Sequence, residues 1–174
     1  MKIMKKIFLI TAVAAMLFTQ ATAVLAIESG SKQAWLSAKQ ATKTADAAHR
    51  QAKLDYATNK TPENEQKVID TGKTLLQNGL NEVEEWLLWK NTEAEEDSRV
   101  PDSIKNAIAS DVEKNLAKIE NFRTEVDGVT SQFQLGVVFL KMIGAYLELL
   151  TDVARNTGAM WVNIGNNLLD EARD

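Results

Sequence analysis

Cysteine is absent from the 174-residue chain, proline occurs twice and histidine once. Without cysteine there is no disulfide framework and no thiol for a lipid anchor, so the fold has to hold through its core alone. With so little proline, long stretches have nothing to interrupt a helix. A single histidine is too few for a zinc centre, a di-iron bundle built on paired Glu-x-x-His, or a bis-histidine haem, and Cys-x-x-Cys-His is missing. A serine relay fares no better: Gly-x-Ser-x-Gly does not occur, and His49 is the only imidazole available as a base. Thr71-Gly72-Lys73-Thr74 has the closing residues of a phosphate-binding loop, but Lys67 stands where the first glycine is required and no strand precedes it. Strand signals are scarce too. Beyond the first two dozen residues, the adjacent β-branched apolar pairs are Val68-Ile69 and Val137-Val138, both inside helix-period patterns. No catalytic residue, metal ligand or cofactor is expected.

What is present begins with a leader. MKIMKKIFLITAVAAMLFTQATAVLA opens on Lys2, Lys5 and Lys6, continues with an apolar stretch from Ile7 to Phe18, and ends in small residues that offer cleavage after Ala23 or Ala26. These are the three parts of a secretory signal peptide, and the apolar stretch falls well short of the roughly 20 residues of a span. The division expected is a signal peptide over 1–26 and one domain over 27–174, secreted or periplasmic and without a lipid anchor. Three of the 20 basic residues leave with the leader and none of the 24 acids does, so the mature chain carries 17 against 24. An acidic surface repels phosphate backbones and anionic headgroups, which excludes nucleic acid and favours basic, neutral or apolar partners.

Boundaries within the domain are few. Pro62 after Thr61 and Pro101 after Val100 each read as a first helical position with acids close behind, and Gly128 ends a periodic segment with Thr130 or Ser131 able to cap the next. Four helical segments follow, near 30–58, 62–96, 102–127 and 131–172. Short connections between them predict an all-α, antiparallel, up-and-down four-helix bundle. Asn156-Thr157-Gly158 marks a kink or the start of a short fifth helix.

The first segment carries Ala34, Ala38, Ala41, Ala45, Ala48 and Ala52 in steps of four and three, a coiled-coil seam of methyl groups that lets another backbone come close. Gly72 and Gly79 in the second segment, seven apart beside Leu76 and Val83, read as the other half of that tight pair. Asp46 and His49 lie off the seam and read as a solvated pair. The third segment is an ordinary amphipathic stripe from Ile104 to Val126. In the fourth, Gln134, Lys141, Glu148 and Arg155 are spaced by sevens and line up as one polar stripe. The opposite arc of Leu135 to Leu150 is broad and apolar, and its expected place is the bundle core, with no membrane span after cleavage.

With catalytic groups missing, the expected function is that of a non-enzymatic binding or interaction protein outside the cytoplasm, chaperone-like or a subunit of a surface assembly. Trp86 and Trp89 stand in a run with Glu93, Glu95, Glu96 and Asp97, a candidate surface for a basic or apolar protein partner. Trp161, Ile164 and Leu168 would line an exposed stripe on the tail unless the segment folds back, the arrangement expected, or pairs with a second copy, where Gly158 and Gly165 permit close approach. Two alternatives stand beside this. One is a carrier of a small apolar ligand between the helices, which a cavity near Met142 and Tyr146 would favour; the other is a membrane-active protein opening its last two helices as a hairpin. Asn59-Lys60-Thr61 is a glycosylation sequon followed by Pro62.

Overall fold

The computed structural model describes residues 29–171 and 173; the expected signal peptide lies outside the described residues. Four helices account for nearly all of what is described: α1 Ser29–Thr58, α2 Pro62–Glu96, α3 Asp102–Asp127 and α4 Gln132–Glu171. Each boundary has a local cause. Thr61 caps α2 by accepting from the Asn64 backbone N–H at 3.2 Å, with Pro62 at the first helical position. Pro101 sits one place earlier than expected, as the cap residue ahead of Asp102. Ser131 caps α4 through the Gln134 N–H at 3.2 Å, and the Gln134 side chain reaches back to the Thr130 N–H at 2.8 Å.

Neighbours along the chain run antiparallel, and polar ties fix their register. Thr42 donates to the Asn78 carbonyl at 3.1 Å and Lys67 pairs with Asp55 at 2.9 Å, tying α1 to α2. Gln77 donates to the Arg123 carbonyl and to Asp127, and Arg123 pairs with Glu84, tying α2 to α3. Lys141 reaches Glu125 at 2.7 Å and Arg155 reaches Asp111 at 2.6 Å, tying α3 to α4. The result is the expected all-α four-helix bundle.

Its core is not where the apolar content is greatest. The continuous buried cluster is built on α2 (Ile69, Leu76, Leu80, Leu87, Ala94) and α3 (Ile108, Val112, Ile119, Val126), to which the Leu135–Leu150 stretch adds only Leu135, Val138 and Leu149. Phe139, Leu140, Ile143, Tyr146 and Leu147 are exposed. This corrects the expectation that the broad face of α4 dominates the core. The physical reason is the placement of α1, whose Cα atoms come within 8 Å of no helix except α2. A four-cornered bundle would cover α4 from two sides; here one side stays open. Gln132–Leu169 is accordingly long and apolar enough to cross a bilayer by length and composition, with little of it buried.

Two further corrections concern the ends and the seam. α4 runs unbroken through Asn156-Thr157-Gly158, with Asn156 held by Asp111 at 3.0 Å, so among the described residues there is neither a break there nor a short helix after it. The tail does not fold back: Ile164 is buried, but Trp161 and Leu168 stay exposed. In the alanine seam Ala38, Ala45 and Ala52 are buried while Ala41 and Ala48 are exposed, because a single neighbouring helix can cover only one line of positions, those seven apart. Gly72 is buried, and a Cβ built on it would overlap Leu135 Cδ2 and lie 3.1 Å from His49 Cε1. Gly79 has nothing within 4 Å of its Cβ direction. The two glycines therefore do different jobs.

Candidate functional site

The open side between α1 and α4 forms a groove of about 800 Å³ to which all four helices contribute. Leu76, Gly79, Leu80 and Val83 of α2 make its floor; Trp35 and Thr42 of α1 make one wall, and Phe139, Met142, Tyr146 and Leu149 of α4 the other. Ile119 and Phe122 of α3 line its depth. Gly79 matters here because a side chain at that position would occupy the space. Charged groups stand among the lining residues: Lys39, Lys43 and Asp46 on α1, Glu82 on α2 and Lys118 on α3.

One end of the groove is plugged where His49, Gly72 and Leu135 meet. His49 is no solvated partner of Asp46, which pairs instead with Arg50 at 2.8 Å. The imidazole is half-buried, its Nδ1 3.2 Å from the Thr71 hydroxyl. Desolvation, and next the nearby Lys53, lower its pKa, against the opposing pull of a Val68 backbone hydrogen bond and Asp46. At the other end Trp35 stacks on Trp89, ring centroids 5.0 Å apart and planes 19° from parallel. Lys90 lies 4.0 Å from the Trp89 ring centroid and Lys39 4.9 Å from that of Trp35, so ammonium groups cover the stack.

No family model, curated protein or solved structure matches this chain. The groove's own geometry is therefore the basis for reading it. Lined by aromatic and aliphatic side chains with a few charged groups, and within the usual 300–1,000 Å³ range of small-molecule sites, it can hold an apolar body and leave a polar end among charged side chains.

The residues singled out in the sequence divide between two places. Trp86 lines the groove and packs against the core cluster. Trp89 is in the stack, half-buried. Glu93, Glu96 and Asp97 line a second cavity of about 450 Å³ together with Trp161, which the fold brings to them from the far end of α4. Glu95 is exposed, and its carbonyl accepts from Lys105 at 2.6 Å. Two of the acids have cations of their own: Glu93 pairs with Lys90 at 2.6 Å and Asp97 with Arg99 at 2.7 Å, which lowers the Asp97 pKa against partial burial. Ile164 is buried at 3 % exposure. Asn115, also buried, lines both cavities, its amide donating to the Asp111 carbonyl at 2.8 Å.

Trp35, Phe122 and Phe139 went unmarked in the sequence. Trp35 carried a usable signal, a lone indole next to Ala34 at the edge of a methyl seam, a position where a large side chain has no room to pack inward. Phe122 and Phe139 carried none, because each fits an ordinary amphipathic pattern and only the position of α1 turns them toward a groove.

Proposed function

We propose that this chain is a non-catalytic binding protein working outside the cytoplasm, which carries a small apolar molecule in the groove between α1 and α4. The observation behind this reading is the groove itself, with Met142 and Tyr146 in its wall. Its floor from Leu75 to Trp86 spans about 17 Å at 1.5 Å per residue, enough for an extended acyl chain or a fused-ring compound. The His49–Leu135 plug and the Trp35–Trp89 stack close that length, which suits a small molecule better than a through-going helix of another protein. Lysines on α1 and α3 suit an anionic or polar end group. The acids of the Glu93–Asp97 run support a basic docking partner less well, since the ion pairs already present compete for their charge.

The test uses Gly79→Leu, which puts an apolar side chain on the floor of the groove from a Cβ position that has nothing within 4 Å. A fluorescent fatty-acid probe titrated into the mature protein is expected to bind saturably at one site, with affinity reduced at least tenfold in G79L while thermal stability is kept. Native mass spectrometry of protein purified without denaturation would identify the natural ligand. Equal affinity of G79L and the parent would place the probe elsewhere and overturn the reading.

A further inference from the structure

Beside its groove-facing residues α4 carries a second line of positions. Stepping alternately four and three residues from Phe133 to Leu168 meets eleven positions, all apolar or small, and all exposed except the half-exposed Gly165. Leu140 is 68 % exposed, Leu147 60 % and Trp161 57 %. Five heptads of such spacing make a coiled-coil seam about 50 Å long, and three to four are enough to mark one. Here the seam faces solvent, with no helix opposite it among the described residues.

We infer that the seam is the interface with a second copy of this chain, the two α4 helices packing antiparallel about a two-fold axis at the level of Asp152 and Val153. Size complementarity and charge select this arrangement independently. In it Gly144 faces Trp161 of the other copy, Gly158 faces Leu147, and Gly165 faces Leu140, so every glycine of the seam receives a large side chain. Thr151 and Ala154 meet at the centre, where two small residues let the backbones approach.

The flanking polar stripe then places Glu148 beside Arg155 of the other copy, and the two-fold axis repeats that pair. Both side chains are largely exposed, at 71 % and 60 %, although each also has intrachain partners, Lys118 for Glu148 and Asp111 and Asp152 for Arg155. Sliding one helix by a heptad sets Glu148 against Glu148 and Lys141 beside Arg155, puts Val137 against Trp161, and leaves Gly144 opposite Ala154. A parallel pair sets Trp161 against itself and glycine against glycine. The slid register seats Gly158 under Leu140 and Gly165 under Phe133 but leaves Gly144 unfilled and sets like charges together, and the parallel pair leaves every glycine unfilled.

A lipid surface fits the same seam less well. Five of the eleven positions are glycine, alanine or threonine, which bury little area in a bilayer, and the chain is acidic, at a formal net charge of −4 even with its leader.

Sedimentation equilibrium of the mature protein is expected to give a dimer. Gly158→Leu blocks the seat of Leu147, yet a Cβ at Gly158 meets nothing within 4 Å in the single copy, so helicity should be retained while the dimer weakens at least tenfold. Because the chain has no cysteine, register can be read by cross-linking. L147C/G158C should oxidise to a covalent dimer, and L140C/G158C, which matches the register one heptad away, should not. A monomer throughout the micromolar range, the reverse cross-linking pattern, or adsorption to phosphatidylcholine vesicles without a dimer would each overturn the proposal.

Discussion

Gly72→Ala and Gly79→Ala make the same chemical change on the same helix, two turns apart, and the structure assigns them opposite signs. Alanine is favoured over glycine in a helix interior by about 1 kcal/mol, so where the new methyl meets nothing the protein gains that amount. Gly79 is such a place: its Cβ direction opens into the groove. At Gly72 the methyl would overlap the buried Leu135 and press on His49, and overpacking of that kind costs roughly 1–3 kcal/mol before the side chains settle. The net for G72A then lies between about neutral and 2 kcal/mol destabilising, and the two variants differ by roughly 1–3 kcal/mol. Urea unfolding followed by circular dichroism measures this directly. With a slope of about 1.5 kcal/mol per molar, the midpoints should separate by roughly 0.7–2 M at unchanged slope. Leu135→Ala, destabilising in itself, should cancel most of the difference, since it removes the atoms that collide. If G72A unfolds at or above the midpoint of G79A, then α1, α2 and α4 do not meet at Gly72, and the plug at that end of the groove is wrong.

Three more outcomes can be checked. His49 has a depressed folded-state pKa, so its contribution is fully present above the unfolded imidazole value of about 6.5 and is lost as pH falls below it; the urea midpoint should decline between pH 7 and 5, and H49Q should flatten that decline. Asp111 accepts from Asn156 and from Arg155, in that order of effect on its lowered pKa, so it steadies α4 above the ordinary carboxylate range and releases it as pH falls through the folded value; D111N at neutral pH should cost on the order of 0.5–1 kcal/mol, with faster amide exchange in the second half of α4. Trp35→Leu keeps apolar bulk but removes the stack on Trp89, which should lower stability by about 0.5–1.5 kcal/mol and abolish coupled indole signals in the near-ultraviolet circular dichroism spectrum.

Helix number and extent were legible because the signals for them are local. Thr61-Pro62, Val100-Pro101 and Gly128 with Ser131 stand within a residue or so of the ends observed, since capping and proline geometry act over a single turn. The polar stripe of Gln134, Lys141, Glu148 and Arg155 is likewise exposed along α4. Apolarity, however, is not burial. Periodicity identified an apolar arc on α4 correctly and then assigned it to the core, because a hydrophobic face carries no information on whether another helix reaches it. Reach was decided by α1, whose alanine line at Ala38, Ala45 and Ala52 seats it so closely on α2 that it stands away from α4. The groove is the product of two helices that come together only beside Gly72 and stand apart beyond it, which is a relation between segments and so has no local pattern in the chain. Of its residues, Trp86 stands out in the sequence as an aromatic beside a run of acids, and Met142 and Tyr146 as the neighbourhood in which a cavity would favour a carrier; Phe122 and Phe139 are not separable from core positions.

That α1 packs along its length on α2 and comes up to α4 only beside Gly72 has a consequence for how the groove opens. No α1 residue belongs to the continuous core cluster, so swinging α1 about the short Asn59–Thr61 link would break its long packed face on α2, the indole stack and the His49 contacts beside Gly72 while leaving the α2–α3–α4 core in place. Such a partial opening lies below global unfolding on the free-energy scale and is reached far more often. Release of a bound molecule would then be timed by the first helix acting as a hinged cover, and a tether between α1 and α4 would slow release and uptake together without changing which molecule is preferred.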